Sequence, residues 1–247
     1  MVWLKNLIQI YIGYLPILLT GILSLQACNP DPEEPLIPDL DGGPQLNSVH
    51  QYFIDVAFGN EFGGGYSSIR KWSSNIKLFV PETKYDYLNE ELDAIIDELN
   101  SLLGEIQIER VTDVNEANYI VYFGNQNTCV NTYEPNAAGL VESNWGVFYI
   151  YWDSNWSINR GSMYVDVIRT LDLDCQKHLL REELTQSLGL MNDTFDYPGS
   201  IFYQNWTCGT NYAEIDRRLI EILYDPEILP GMLKQEVINY LIGLQTT

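Results

Sequence analysis

The chain of 247 residues carries 34 acidic against 13 basic side chains, a formal charge of −21, and is 46% apolar. The apolar share supports a sizeable core and excludes disorder throughout. So negative a surface repels phosphate backbones, which excludes nucleic acid as a partner. With only two histidines, His50 and His178, no site can be built on three imidazoles.

Lys5 and the apolar run over residues 7–25 read as an export signal that ends in Leu25-Gln26-Ala27-Cys28. These four residues resemble a bacterial lipobox. A small residue is needed before the cleaved bond, and the cysteine thiol receives the lipid. The run is also near the length that spans a bilayer, so an uncleaved anchor is the competing reading. Pro16 and the Ala27-Cys28 ending favour cleavage. Residues 1–27 are therefore predicted to be a lipoprotein signal peptide, with Cys28 lipidated and bearing palmitate. Residues 28–46, rich in proline and acid, read as a stiff solvated tether. The expected product is exported and held by Cys28 in the bacterial outer membrane, facing the periplasm or the surface. Its remaining residues, 47–247, form one domain.

Within that domain, residues 50–58 mix aromatic and β-branched side chains before Gly59 and suit a strand. Gly63-Gly64-Gly65 lacks the strand, helix and basic residue of a phosphate cradle and reads as a loop. A strand follows over 75–80, stopped by Pro81. Leu88, Leu92, Ile95, Ile96, Leu99, Leu102 and Leu103 then share one face of a helix ended by Gly104. Strands are predicted over 106–111, 119–123, 146–152 and 162–167. Helices take over at 175–190, 212–224 and 231–244, with Asp172 and Asp174 placed to cap the first. The order is α+β: a mixed sheet of about four to five strands with a backing helix, a site-bearing helix and a helical C-terminal part.

With Cys28 lipidated, three cysteines remain in a compartment that permits a disulfide. Spacing alone selects no pair. Cys175 and Cys208, which flank the segment that carries chemistry, are favoured, leaving Cys129 over.

That segment runs Glu182-Glu183, Gln186, Gly189, Asn192-Asp193. Zincin metallopeptidases place two histidines one helical turn apart, with a glutamate after the first. Metzincins add a glycine and a third ligand. The frame here resembles the metzincin frame with every histidine replaced. Further words carry a resemblance to a domain family of unknown function grouped with zincin-like metallopeptidases. They include Tyr52-Phe53-Ile54-Asp55, Ile69-Arg70-Lys71-Trp72, Ala117-Asn118-Tyr119, Ser200-Ile201-Phe202 and Glu214-Ile215-Asp216. It covers roughly residues 50–235 and implies a zincin-like fold.

Residue by residue, the resemblance assigns Glu183 the place of the catalytic base. It assigns Glu182, Gln186 and Asn192 the three metal-ligand positions. Zinc favours imidazole and thiolate and is rarely held by neutral amides. His178, one turn before Glu182, offers a substitute donor or is an ordinary first-turn residue. Two functions are therefore expected. One is a metal-dependent peptidase with an atypical site holding zinc or another divalent metal. The other is a catalytically inactive scaffold whose cleft binds peptide or glycan. Trp145, Trp152, Trp156 and Trp206 would stack on sugars or fill the core.

Overall fold

A computed structural model describes residues 45–59 and 67–245. The signal peptide, almost all of the tether with Cys28, and the Gly63-Gly64-Gly65 loop lie outside the described residues. The elements run α1 (Ser48–Phe58), β1 (Lys71–Trp72), β2 (Ile76–Phe79), α2 (Asp86–Asn100), β3 (Ile108–Arg110) and β4 (Tyr119–Gly124). A short α3 (Gln126–Thr128), β5 (Gly146–Trp152), β6 (Ser157–Asp166), α4 (Leu173–Gln186), α5 (Glu214–Leu223) and α6 (Lys234–Gln245) complete them.

Six strands form one sheet in the order β1-β6-β4-β2-β3, all parallel, with β5 antiparallel to β6. Met163 of β6 pairs with Val121 of β4 and with Phe148 of β5, so these two strands flank β6. The far edge of β5 has no strand partner among the described residues. The class is thus mixed α/β with a mainly parallel sheet, one strand wider than the sequence implies. The extra strand is β1, two buried residues too short to show any alternation.

The opening segment is a helix and not the strand that its composition suggests. The Asn47 side chain accepts a hydrogen bond from the His50 amide and caps α1. Tyr52, Phe53, Ile54, Val56, Ala57 and Phe58 are all buried, so burial does not alternate. An element that is apolar nearly all round belongs in a core, and α1 packs against α5 and α6.

Three devices fix α4. Asp172 caps it, accepting from the amides of Asp174 and Cys175. Leu180, Leu184 and Leu188 are fully buried on the core side. Arg181, also buried, turns to α2, where Glu98 (2.9 Å) and Glu91 (3.0 Å) hold it over the Tyr212 ring. At the other end the Trp72 indole donates to the Ser187 carbonyl at 3.1 Å. The chain then turns at Gly189, whose φ is +126°. Among the described residues no helix is long and apolar enough to cross a membrane.

Candidate functional site

The burial of Leu184 and Leu188 turns Glu182 and Gln186, one helical turn apart, out of the core together. They form the floor of a cavity of about 680 Å³. The outer edge of β5 along Gly146–Ile150, which has no strand partner among the described residues, forms one wall. Met191, Asp193 and residues 203–207 form the other, and Leu140, Ser143 and Asn144 close one end.

Glu183 borders the floor toward the sheet. A Cβ on Gly146 would fall on its carboxylate, so only glycine lets Glu183 lie against the start of β5. On the sheet side, burial pushes the Tyr119 phenol far up, and the nearby charge of Glu183 pushes it the same way. Gln186, 2% exposed, donates through Nε2 to Asp193 Oδ1 at 2.7 Å. Asn192 does not join them. Its Nδ2 donates to the Asp55 carbonyl of α1 at 3.1 Å, and Gly59 leaves room for its side chain.

His178 is buried at the edge of the cleft. Its Nδ1 donates to the Gly209 carbonyl at 2.7 Å, which leaves Nε2 facing Thr207 Oγ1 (3.4 Å) and Glu182 Oε2 (3.6 Å). Burial lowers its pKa, and the charge of Arg181 adds to this against the Gly209 bond. The imidazole is therefore neutral near pH 7.

The second wall is irregular, yet it is tied down. Cys175 at the start of α4 is disulfide-bonded to Cys208. Asp216, wholly buried on the first turn of α5, accepts from Ser200 Oγ (2.5 Å) and from the Ile201 and Ala213 amides. Ser200 Oγ in turn accepts from the Tyr52 hydroxyl at 2.9 Å. Burial raises the Asp216 pKa against the hydrogen bonds of Ser200, Ala213 and Ile201. The words at 52–55, 200–202 and 214–216 thus build one support for the wall. The rim across the cleft is pinned by Arg169, which pairs with Asp166 and donates to the carbonyls of Val141, Glu142 and Asn144. Trp145 and Trp206 meet across the mouth edge to face, 5.2 Å between centroids.

Sequence reasoning placed Asn192 and Asp193 together over the cleft, of which only Asp193 faces it, and it missed Gly146 and, apart from Trp206, the wall at 203–207. Both lie in stretches with no helical period or motif. Cys129 is free and buried, its thiol pushed up to about 12 by burial, and it takes no part.

The donor set does not fit a resident metal. Gln186 and Asn192 offer only neutral amides, which rarely hold zinc, and Asn192 is turned to Asp55 of α1. Among the described residues no three His, Cys, Asp or Glu side chains come together as a metal would require. A family model described as a protein of unknown function (DUF2927) matches residues 47–242. No curated protein matches the chain.

Proposed function

We propose that this chain, which belongs to the DUF2927 family of proteins of unknown function, is a binding module whose cleft on α4 holds an extended peptide without a metal. The scaffold is read as zincin-like because Glu182 and Gln186 lie on a helix that packs beneath an antiparallel edge strand, with the Gly189 turn just beyond its end.

The observation that carries the reading is the edge of β5 along Gly146–Ile150, without a strand partner among the described residues, forming a wall of a 680 Å³ cavity. An edge strand presents unpaired amides and carbonyls, and an extended peptide satisfies them by adding a strand. The aromatic rings along the walls supply apolar area with few rotamers to freeze. Glycan is the second reading, favoured by Trp145 and Trp206, which are 39% and 55% exposed at the mouth. A metallopeptidase would need ligands where Gln186 and Asn192 stand. The test is peptide binding to full-length protein after chelation, with mass spectrometry of the peptide to detect cleavage. Binding without cleavage supports the reading.

Cys28 holds this module in a membrane, a proposal that rests on the sequence alone. Cells fed labelled palmitate are expected to label the wild type and not Cys28→Ala. An unlabelled wild type with its N-terminus intact would make the segment an uncleaved anchor.

A further inference from the structure

We propose that the surface around the start of α4 docks on a membrane interface, with zwitterionic lipid as its partner. The proposal goes beyond peptide binding and rests on the membrane attachment through the N-terminal segment and Cys28 set out above.

Exposed large apolar side chains gather there. In the connection from β6 to α4, Leu171 is 81% exposed, Ile168 57% and Leu173 54%. The fold brings Trp145 and Trp206 to the same place. The Trp145 carbonyl accepts from the Asp166 amide at 2.7 Å, just before Ile168. Cys208, just after Trp206, is bonded to Cys175, just after Leu173. The two indole rings then meet each other. The connection is held by its own hydrogen bonds. Asp166 accepts from the Ile168 and Arg169 amides, and Arg169 donates to the carbonyls of Val141, Glu142 and Asn144. A fixed backbone thus presents the apolar side chains. Single exposed apolar residues need no explanation, whereas a group of them marks an interaction surface.

The chemistry of the group suits a bilayer surface. Indole, an apolar ring with one polar N–H, is favoured at headgroup level. Aliphatic side chains beside it can reach the acyl boundary. A tether over residues 28–44, up to about 60 Å long when extended, keeps the domain near the bilayer without choosing the face it presents. At the high effective concentration that a tether creates, a patch too weak to bind lipid from solution is enough to make that choice. Charge then selects the lipid. Glu142, Asp172 and Asp174 are exposed around the group, and Arg169 is paired with Asp166. Anionic headgroups are repelled by such a rim, while the ammonium groups of phosphatidylethanolamine meet it.

The test uses full-length protein purified from cell membranes and reconstituted into phosphatidylethanolamine–phosphatidylcholine vesicles whose acyl chains are brominated near the headgroup. Bromine quenches tryptophan fluorescence on close approach. The wild type is expected to be quenched, and Trp145→Phe with Trp206→Phe should lose most of that quenching. Leu171→Asp with Leu173→Asp, which puts charge where apolar contact is needed, should cut the quenched fraction at least about threefold. Should that pair misfold, Leu171→Asp alone, at the most exposed position, decides the same question. Val114→Asp, 47% exposed at the opposite end of the parallel strands, should change nothing. Exchanging phosphatidylcholine for phosphatidylglycerol should weaken the quenching at low salt and restore it at high salt. Equal quenching in the wild type and the Leu171 variants overturns the docking and leaves membrane attachment standing. Copies cross-linked through the patch, without quenching, make it a protein interface and overturn the docking too. Protein that fails to float with the vesicles overturns the attachment, and the docking with it.

Discussion

Gly189→Ala is expected to destabilise the domain by about 4 kcal/mol or to prevent its folding, the cost of a strained backbone combined with a steric clash. Gly189 has φ +126°, where side-chain-bearing residues are strained, and a Cβ there would fall on the carbonyl oxygen of Arg70. That oxygen belongs to backbone, so relief would require β1 or the α4 terminus to move. Both are held in place, since Trp72 of β1 donates to the Ser187 carbonyl. The turn at Gly189 also delivers Asn192 to α1 and Asp193 to Gln186. Urea unfolding monitored by tryptophan fluorescence measures the loss. A shift in stability below about 1 kcal/mol would mean that the turn tolerates a side chain.

Removing the Cys175–Cys208 bond by a double serine substitution is expected to cost about 3–4 kcal/mol, the loop-closure contribution for residues 33 apart. For a domain of this size that lowers the melting temperature by roughly 7–15 °C. A second effect follows from position. Cys208 lies between Thr207, which lines the cleft, and Gly209, whose carbonyl accepts the His178 proton. With the bond gone, the wall carrying Trp206 loses its covalent tie to α4 and keeps hydrogen bonds alone, through Ser200 and Asp216 and from the Gln204 amide to the Thr194 carbonyl. Peptide affinity should therefore fall even at temperatures where the variant is fully folded. Calorimetry of unfolding and of binding on the same sample separates the two effects. Unchanged affinity in the folded variant would show that the wall holds itself.

The parts of the fold legible in the sequence are those with a strong local period or cap. Leu180, Leu184 and Leu188 set the buried face of α4, Asp172 starts it, and Gly189 turns the chain beyond it. The α2 stripe and strands β2, β4 and β5 are visible for the same reason. Helix α1 is hidden because burial nearly all round erases the amphipathic period. Its one local sign is Asn47 at the cap. The site is half legible. The acids and the amide of α4 follow from helical spacing. Whether Asn192 or Asp193 turns into the cleft depends on the Asp55 carbonyl, 137 positions away along the chain. No local pattern encodes that choice. Gly146 matters only because Glu183 reaches it across the sheet edge.

The most direct test of metal-free peptide binding is a titration of a fluorescent dodecapeptide library into chelator-treated protein, repeated with added zinc, with the peptides recovered for mass spectrometry. The expected result is the same affinity in both arms and intact peptides, because Gln186 and Asn192 offer zinc only neutral amides and Asn192 is turned to α1. Binding that requires zinc, together with peptide cleavage abolished by Glu183→Gln, would contradict it and restore the peptidase reading.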